Sequence, residues 1–183
     1  MPPASRSGMI PLPFCRITLS LLPVLALAGC GGGGASPNPS SSGPITVDNS
    51  LSRSDFFDSD DNRYYDIYVC DAQYTGTATV GMESDEVDSY LLIYRKNSSG
   101  DYDLIAQDDD SGSGNDAFTE FSVDRGDTYR IIATSSGSEE RGDYDLHLSE
   151  ELGRPARVLP DDARVAQSLK TFKLPVIPAK PKP

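Results

Sequence analysis

Tryptophan is absent from this sequence and histidine occurs once, at His147. With a single imidazole and no Gly-x-Ser-x-Gly, His-Glu-x-x-His or glycine-rich phosphate loop, the common nucleophilic and nucleotide-binding schemes lack their parts. Paired acids alone can serve glycoside hydrolysis, but such acids sit in clefts lined by aromatic rings. Here there is no tryptophan, and tyrosine and phenylalanine are needed for a core, so no enzyme is expected. Apolar runs are short, none reaching the ~20 residues that span a bilayer. Positive charge is scarce in the middle of the chain: residues 44–152 carry 26 acids and 7 bases, whereas residues 153–183 carry 7 bases and 2 acids. A body that acidic repels phosphate backbones, which excludes nucleic acid as a partner. Cysteine is limited to Cys15, Cys30 and Cys70.

What is present begins with a signal. Arg6 and Arg16 precede an apolar stretch from Ile17 to Ala28, and the stretch ends in Leu27-Ala28-Gly29-Cys30. This order of basic region, apolar region and small-residue cleavage site is that of an export signal. The last four residues resemble the bacterial lipobox, which implies cleavage after residue 29 and diacylation of Cys30. Cys15 then leaves with the signal and Cys30 is committed to lipid, so Cys70 has no partner for a disulfide within the chain. It is expected to be a small buried hydrophobe. Residues 30–43 are rich in Gly, Ser and Pro and read as a disordered tether. Residues 44–152 form one domain. Residues 153–183 are a basic, Pro-rich tail expected to be disordered, in which Asp161-Asp162 is suited to cap a short helix bearing Val165, Leu169 and Phe172.

Within the body, short alternating segments are separated by turn residues, the pattern of an all-β sandwich. Tyr65, Ile67 and Val69 alternate with Asp66 and Tyr68; Ala78, Val80 and Met82 alternate with threonines and glycine. The run Tyr90-Leu91-Leu92-Ile93-Tyr94 is apolar on both faces and predicts a central strand covered on both sides. A short strand at 104–107 follows, then Phe121 with Val123, then Tyr129, Ile131 and Ala133, then Tyr144, Leu146 and Leu148. The last trio puts His147 on the opposite, solvated face. Seven or eight strands in two packed antiparallel sheets are the expected architecture.

The strongest chemical signal is the loop Asp108-Asp109-Asp110-Ser111-Gly112-Ser113-Gly114-Asn115-Asp116, with Glu120 beyond it. Counted from Asp109, it partly imitates a calcium loop, with oxygen side chains at positions one, three and five, Gly114 at six and Glu120 at twelve. The flanking strands exclude an EF-hand, but clustered carboxylates remain suited to a hard cation. Asp108, Asp109, Asp110, Asp116 and Glu120 are the candidate ligands, and Ca2+ the expected ion.

Four segments in order, Asp88-Ser89-Tyr90-Leu91-Leu92-Ile93-Tyr94, Leu104-Ile105-Ala106-Gln107-Asp108-Asp109-Asp110, Gly126-Asp127-Thr128-Tyr129 and Gly142-Asp143-Tyr144-Asp145-Leu146, resemble motifs of the bacterial pre-peptidase C-terminal domain over roughly residues 50–149. The resemblance implies a jelly-roll-like, non-catalytic β-sandwich. It also implies that Asp88 and the Asp108-Asp109 pair approach one another at one end of the sandwich and share a cation. No peptidase sequence precedes the domain in this chain. The expected protein is a non-catalytic module, lipid-anchored in the cell envelope, binding an envelope polymer or a secreted protein. Alternatives are an assembly lipoprotein whose basic tail docks a partner, and an accessory of an exported peptidase. Gly31 is not the aspartate that marks inner-membrane retention, which favours the outer membrane in a cell with two.

Overall fold

The computed structural model describes residues 43–162 and 174–177. The expectations for residues 1–42, and for a helix over 163–173, lie outside the described residues. Those residues contain ten strands and no helix: β1 (Ile45–Leu51), β2 (Phe56–Asp58), β3 (Arg63–Asp71), β4 (Gly76–Glu83), β5 (Ser89–Lys96), β6 (Tyr102–Asp108), β7 (Ala117–Val123), β8 (Thr128–Ser135), β9 (Gly142–Leu148) and β10 (Ala156–Val158). One sheet has the order β1-β9-β4-β7 and the other β10-β3-β8-β5-β6, with β2 also paired to β3; every pairing is antiparallel. From β3 to β10 the chain changes sheet at each step except β5 to β6, so neither sheet can form without the other. The expected all-β sandwich is the fold, with β1, β2 and β10 added to the predicted strands. The two three-residue strands, β2 and β10, are too short to show a period of two.

The core between the sheets is built from alternate residues, as a pleated strand requires. Ala78, Val80 and Met82 on β4, Phe121 and Val123 on β7, Tyr129, Ile131 and Ala133 on β8, and Tyr144, Leu146 and Leu148 on β9 all point into it. On β5, Leu91 and Ile93 enter this core while Tyr90, Leu92 and Tyr94 enter a second cluster. The double-sided burial predicted for that strand is therefore present. The turn after β5 closes through Asn97, whose carbonyl accepts from the Gly100 N–H at 3.0 Å, with Gly100 at φ +90°. Glycine adopts that conformation without a Cβ penalty.

Strand β3 differs from the prediction. Tyr68 and Cys70, not Tyr65 and Ile67, face the core between the sheets. Cys70 is buried and reduced, and burial, aided by Asp71, pushes its thiol pKa up to about 12. Tyr65 and Ile67 instead lie on the outer face of the larger sheet with Tyr90, Leu92, Tyr94 and Ile132. An apolar outer face needs a cover, and Leu174 and Ile177 supply part of it, at 7% and 4% exposure. The expectation of a disordered tail is corrected at these points: β10 pairs with β3, and Leu174–Ile177 seats on the sheet, because this face has apolar area to bury.

Asp66 also turns inward, into a polar network that joins the two sheets. Its Oδ2 accepts from the Tyr144 hydroxyl at 2.7 Å and from Asn49 Nδ2 at 2.9 Å. Tyr68 and Tyr144 hydroxyls lie 2.7 Å apart, and Asn49 Nδ2 also reaches Tyr68 at 2.7 Å. Arg157 of β10 donates to Asp66 Oδ1 through Nε at 2.9 Å and Nη2 at 2.6 Å, and to Asp55 Oδ1 at 2.6 Å. Asp55 in turn accepts from the backbone N–H and hydroxyl of Ser52. The two ends of the Asp66–Arg157 pair respond differently. Burial, acting on a carboxylate only 1% exposed, raises the Asp66 pKa despite the hydrogen bonds from Tyr144 and Arg157. Burial also opposes the Arg157 charge, but that side chain is 30% exposed and the hydrogen bonds and charges of Asp66 and Asp55 raise its pKa.

Two predictions follow from this packing. Replacing Leu174 and Ile177 together by alanine should cost about 2–5 kcal/mol per site, read by urea unfolding, because buried apolar groups are lost over an apolar sheet. Unchanged midpoints would show that the segment does not cover the face. The second concerns pH. A carboxyl whose folded pKa is raised above its unfolded value of about 3.9 holds its proton longer in the folded state. Stability from Asp66 is therefore greatest at low pH and falls as pH rises through the interval between the two values. Carbon-detected NMR should show Asp66 titrating above the ordinary aspartate range, and Asp66→Asn should lack that component of the stability profile. A titration at or below about 4 would contradict it.

Candidate functional site

The site starts from strand pairing. β5 and β6 run antiparallel with Leu91 opposite Asp108, so the start of β5 and the end of β6 share one end of the sandwich. Asp88 immediately precedes β5, and Asp109 and Asp110 immediately follow β6. Each of the three offers a carboxylate oxygen within 4.8 Å of the other two. Asp88 and Asp109 are half-buried and Asp110 is exposed.

The backbone around them is held from several sides. The Asp88 N–H donates to Glu140 Oε2 at 3.1 Å, and its carbonyl accepts from the Ser136 N–H at 2.8 Å. The next residue is tied to the acidic loop, the Ser89 N–H donating to the Asn115 carbonyl at 3.0 Å. Tyr90 lies between charges of opposite sign. Burial first, then Asp109, raises its phenol pKa, and Arg63 opposes them.

The remaining predicted ligands take other places. Asp108 organises the loop: its carboxylate accepts from the Ser111 N–H at 2.9 Å, the Ser111 hydroxyl at 2.5 Å and the Phe118 N–H at 2.8 Å. A carboxylate so engaged shapes the turn that carries Asp109 and Asp110. Gly112 and Asp116 close the same turn, the Gly112 N–H donating to the Asp116 carbonyl at 2.9 Å. A Cβ at Gly112 would meet that carbonyl oxygen at 2.6 Å, which is why glycine stands there. The Asp116 side chain turns away and accepts from the Ser84 N–H at 3.1 Å. It lines a separate acidic pocket of about 370 Å³ with Glu83, Asp85, Glu86, Asp143 and Asp145. Glu120 is exposed on β7, opposite Thr79. Calcium-loop spacing thus groups Asp109 with residues that the fold separates from it. His147 faces outward from β9, with Nδ1 3.1 Å from the Thr46 hydroxyl and Nε2 3.6 Å from Glu83.

Sequence spacing missed Arg63. It begins β3 after the turn at Asn62, whose φ is +56°, and it is only 5% exposed. Its Nη2 donates to the Ser136 carbonyl at 2.6 Å, while Nε and Nη1 have no hydrogen-bond partner. It lines a pocket of about 390 Å³ with Asp60, Asp61, Asp88, Ser136, Gly137, Ser138 and Ile177. Asp88 belongs to both this pocket and the carboxylate trio. An arginine following an aspartate-rich turn looks like ordinary surface charge, and nothing in the local sequence announces its burial.

The class these features define is a small antiparallel β-sandwich with a carboxylate cluster at one end. No family model matches the chain, and no curated protein matches it. Among solved structures it is similar to the pre-peptidase C-terminal domain of a collagenase from Bacillus anthracis, at 16% identity over 57% of this chain and 86% of that one, TM-score 0.38. It is also similar to the Yersinia pseudotuberculosis-derived mitogen, at 12% identity over 63% of this chain and 97% of that one, TM-score 0.42. At these identities neither residues nor activities carry over.

Proposed function

We propose that this chain is a non-catalytic β-sandwich binding module of the bacterial cell envelope, tethered through lipid on Cys30 and stabilised by Ca2+ at Asp88, Asp109 and Asp110. The observation that carries the cation is the convergence of those three carboxylates, from the ends of neighbouring strands, within 4.8 Å. Like charges so close repel strongly in a half-buried setting, and a hard cation offsets the repulsion. Ca2+ takes six to eight oxygen ligands, so backbone carbonyls and water complete the shell. Lipid attachment rests on Leu27-Ala28-Gly29-Cys30 after the apolar stretch. Acyl chains contribute ~0.8 kcal/mol per buried methylene, so attachment through more than one chain is lasting. The pre-peptidase C-terminal motifs of the sequence support the same non-catalytic reading, and the residue after Cys30 favours the outer membrane.

The alternative of a free basic tail that docks a partner is weakened by a specific observation: Arg157, Leu174 and Ile177 are engaged on this chain's own sandwich.

Thermal unfolding of the detergent-purified chain with calcium and with chelator tests the cation. A ligand at a hundredfold excess over Kd stabilises by ~2.7 kcal/mol, which moves Tm by several degrees. Asp109→Ala should abolish the shift, whereas Asp116→Ala and Glu120→Ala should keep it; superimposable curves for the unsubstituted chain would reduce the trio to a solvated turn. Radiolabelled palmitate should enter the expressed protein and fail to enter Cys30→Ala. Equal labelling of the two would remove the anchor.

A further inference from the structure

Arg63 is a buried guanidinium with unfilled donors, and its position gives that feature a chemical meaning. A guanidinium carries five N–H donors, and those of Nε and Nη1 lack acceptors here. Leaving charged donors unsatisfied in a buried place is costly, so such a group is suited to a ligand that fills them. The pocket beside it is roomy, at about 390 Å³, but its other charged walls are Asp60, Asp61 and Asp88. An anion entering alone meets three carboxylates. A divalent cation on the trio lessens that opposition, because Asp88 is shared between the trio and the pocket and its charge is then taken up by the cation. Ser136 ties the two halves mechanically, its N–H on the Asp88 carbonyl and its own carbonyl on Arg63 Nη2.

Resting on the cation reading above, we propose that this pocket binds a carboxylate of the partner molecule, held jointly by Ca2+ at Asp88, Asp109 and Asp110 and by Arg63. The carboxylate oxygens complete the open part of the cation's shell on one side and accept charge-assisted hydrogen bonds from Arg63 on the other. Specificity follows from the same arrangement. The acidic walls reject anions when the cation is absent, so capture of the partner depends on calcium. Ile177 lines the pocket as well, which places the C-terminal segment at its rim. Acidic sugars and acidic peptide side chains present the same group, and the two sources are separable with small probes.

The experiment is calorimetric titration of the detergent-purified full chain, first with calcium alone, then with glucuronate and with N-acetylglutamate, each in calcium and in chelator. Calcium should bind by itself. At least one carboxylate should then bind in calcium only, moving the Arg63 Nε resonance in nitrogen-15 NMR, and the probe that binds identifies the source. Arg63→Lys should keep calcium binding and weaken the carboxylate about tenfold, as expected for lost charge-assisted hydrogen bonds. Calcium binding with neither probe bound overturns the carboxylate site and leaves the cation reading standing. Absence of calcium binding overturns both. Carboxylate binding that persists in chelator, or is equal in a folded Arg63→Lys chain, overturns the joint site. The calcium-against-chelator comparison on the unsubstituted chain decides the matter even if the Arg63 variant fails to fold.

Discussion

The sandwich depends on one buried carboxylate. Asp66 receives hydrogen bonds from Asn49 of β1 and Tyr144 of β9 in one sheet and from Arg157 of β10 in its own. Breaking such a group's partners leaves an uncompensated charge in the interior, whereas keeping them fixes which strands lie opposite which. Hydrophobic burial supplies most of the driving force for the two sheets but is non-directional. The Asp66 network supplies direction: it sets β1 and β9 over β3, and through Arg157 and Asp55 it draws in β10 and the loop before β2.

From that arrangement the rest of the larger sheet follows. β10 is pinned to the edge of β3, and Leu174 and Ile177 lie on the face where Tyr65, Ile67, Tyr90, Leu92, Tyr94 and Ile132 need cover. The basic C-terminal region is therefore partly structural. Its charge meets the acidic body through a specific ion pair with Asp55 and Asp66. At the far end of β5 and β6 the same sheet brings Asp88 to Asp109 and Asp110, and the start of β3 brings Arg63 beside them. Core packing, tail docking and the acidic site are consequences of one strand order.

Much of the fold was legible because burial is written in alternation. β4, β7 and β9 have a polar or small residue between successive core residues, and a single face could be read from each, whereas on β8 Ile132 lies between Ile131 and Ala133 and is buried on the outer face. β5 was legible for the opposite reason, being apolar throughout. β3 was misread because both of its faces are buried and the charged residue in its middle, Asp66, points inward where its partners come from residues 17, 78 and 91 positions away. Alternation assumes that charge faces water, and a paired buried carboxylate breaks that assumption. The site shows the same division. Asp109 and Asp110 stand out as an acidic run, but spacing along the loop grouped them with Asp116 and Glu120, which the turn and β7 carry away.

The sequence by itself determined the class of domain, its acidic character, and most of the residues that alternate into the core. These are local properties, set by composition and by periods of two. Tertiary structure alone decided that Asp88 meets Asp109 and Asp110, that Arg63 is buried beside them, and that Leu174 and Ile177 close the outer face. Each depends on antiparallel register and strand order, which bring together residues far apart in the chain, and no local pattern specifies which distant strand will be the neighbour.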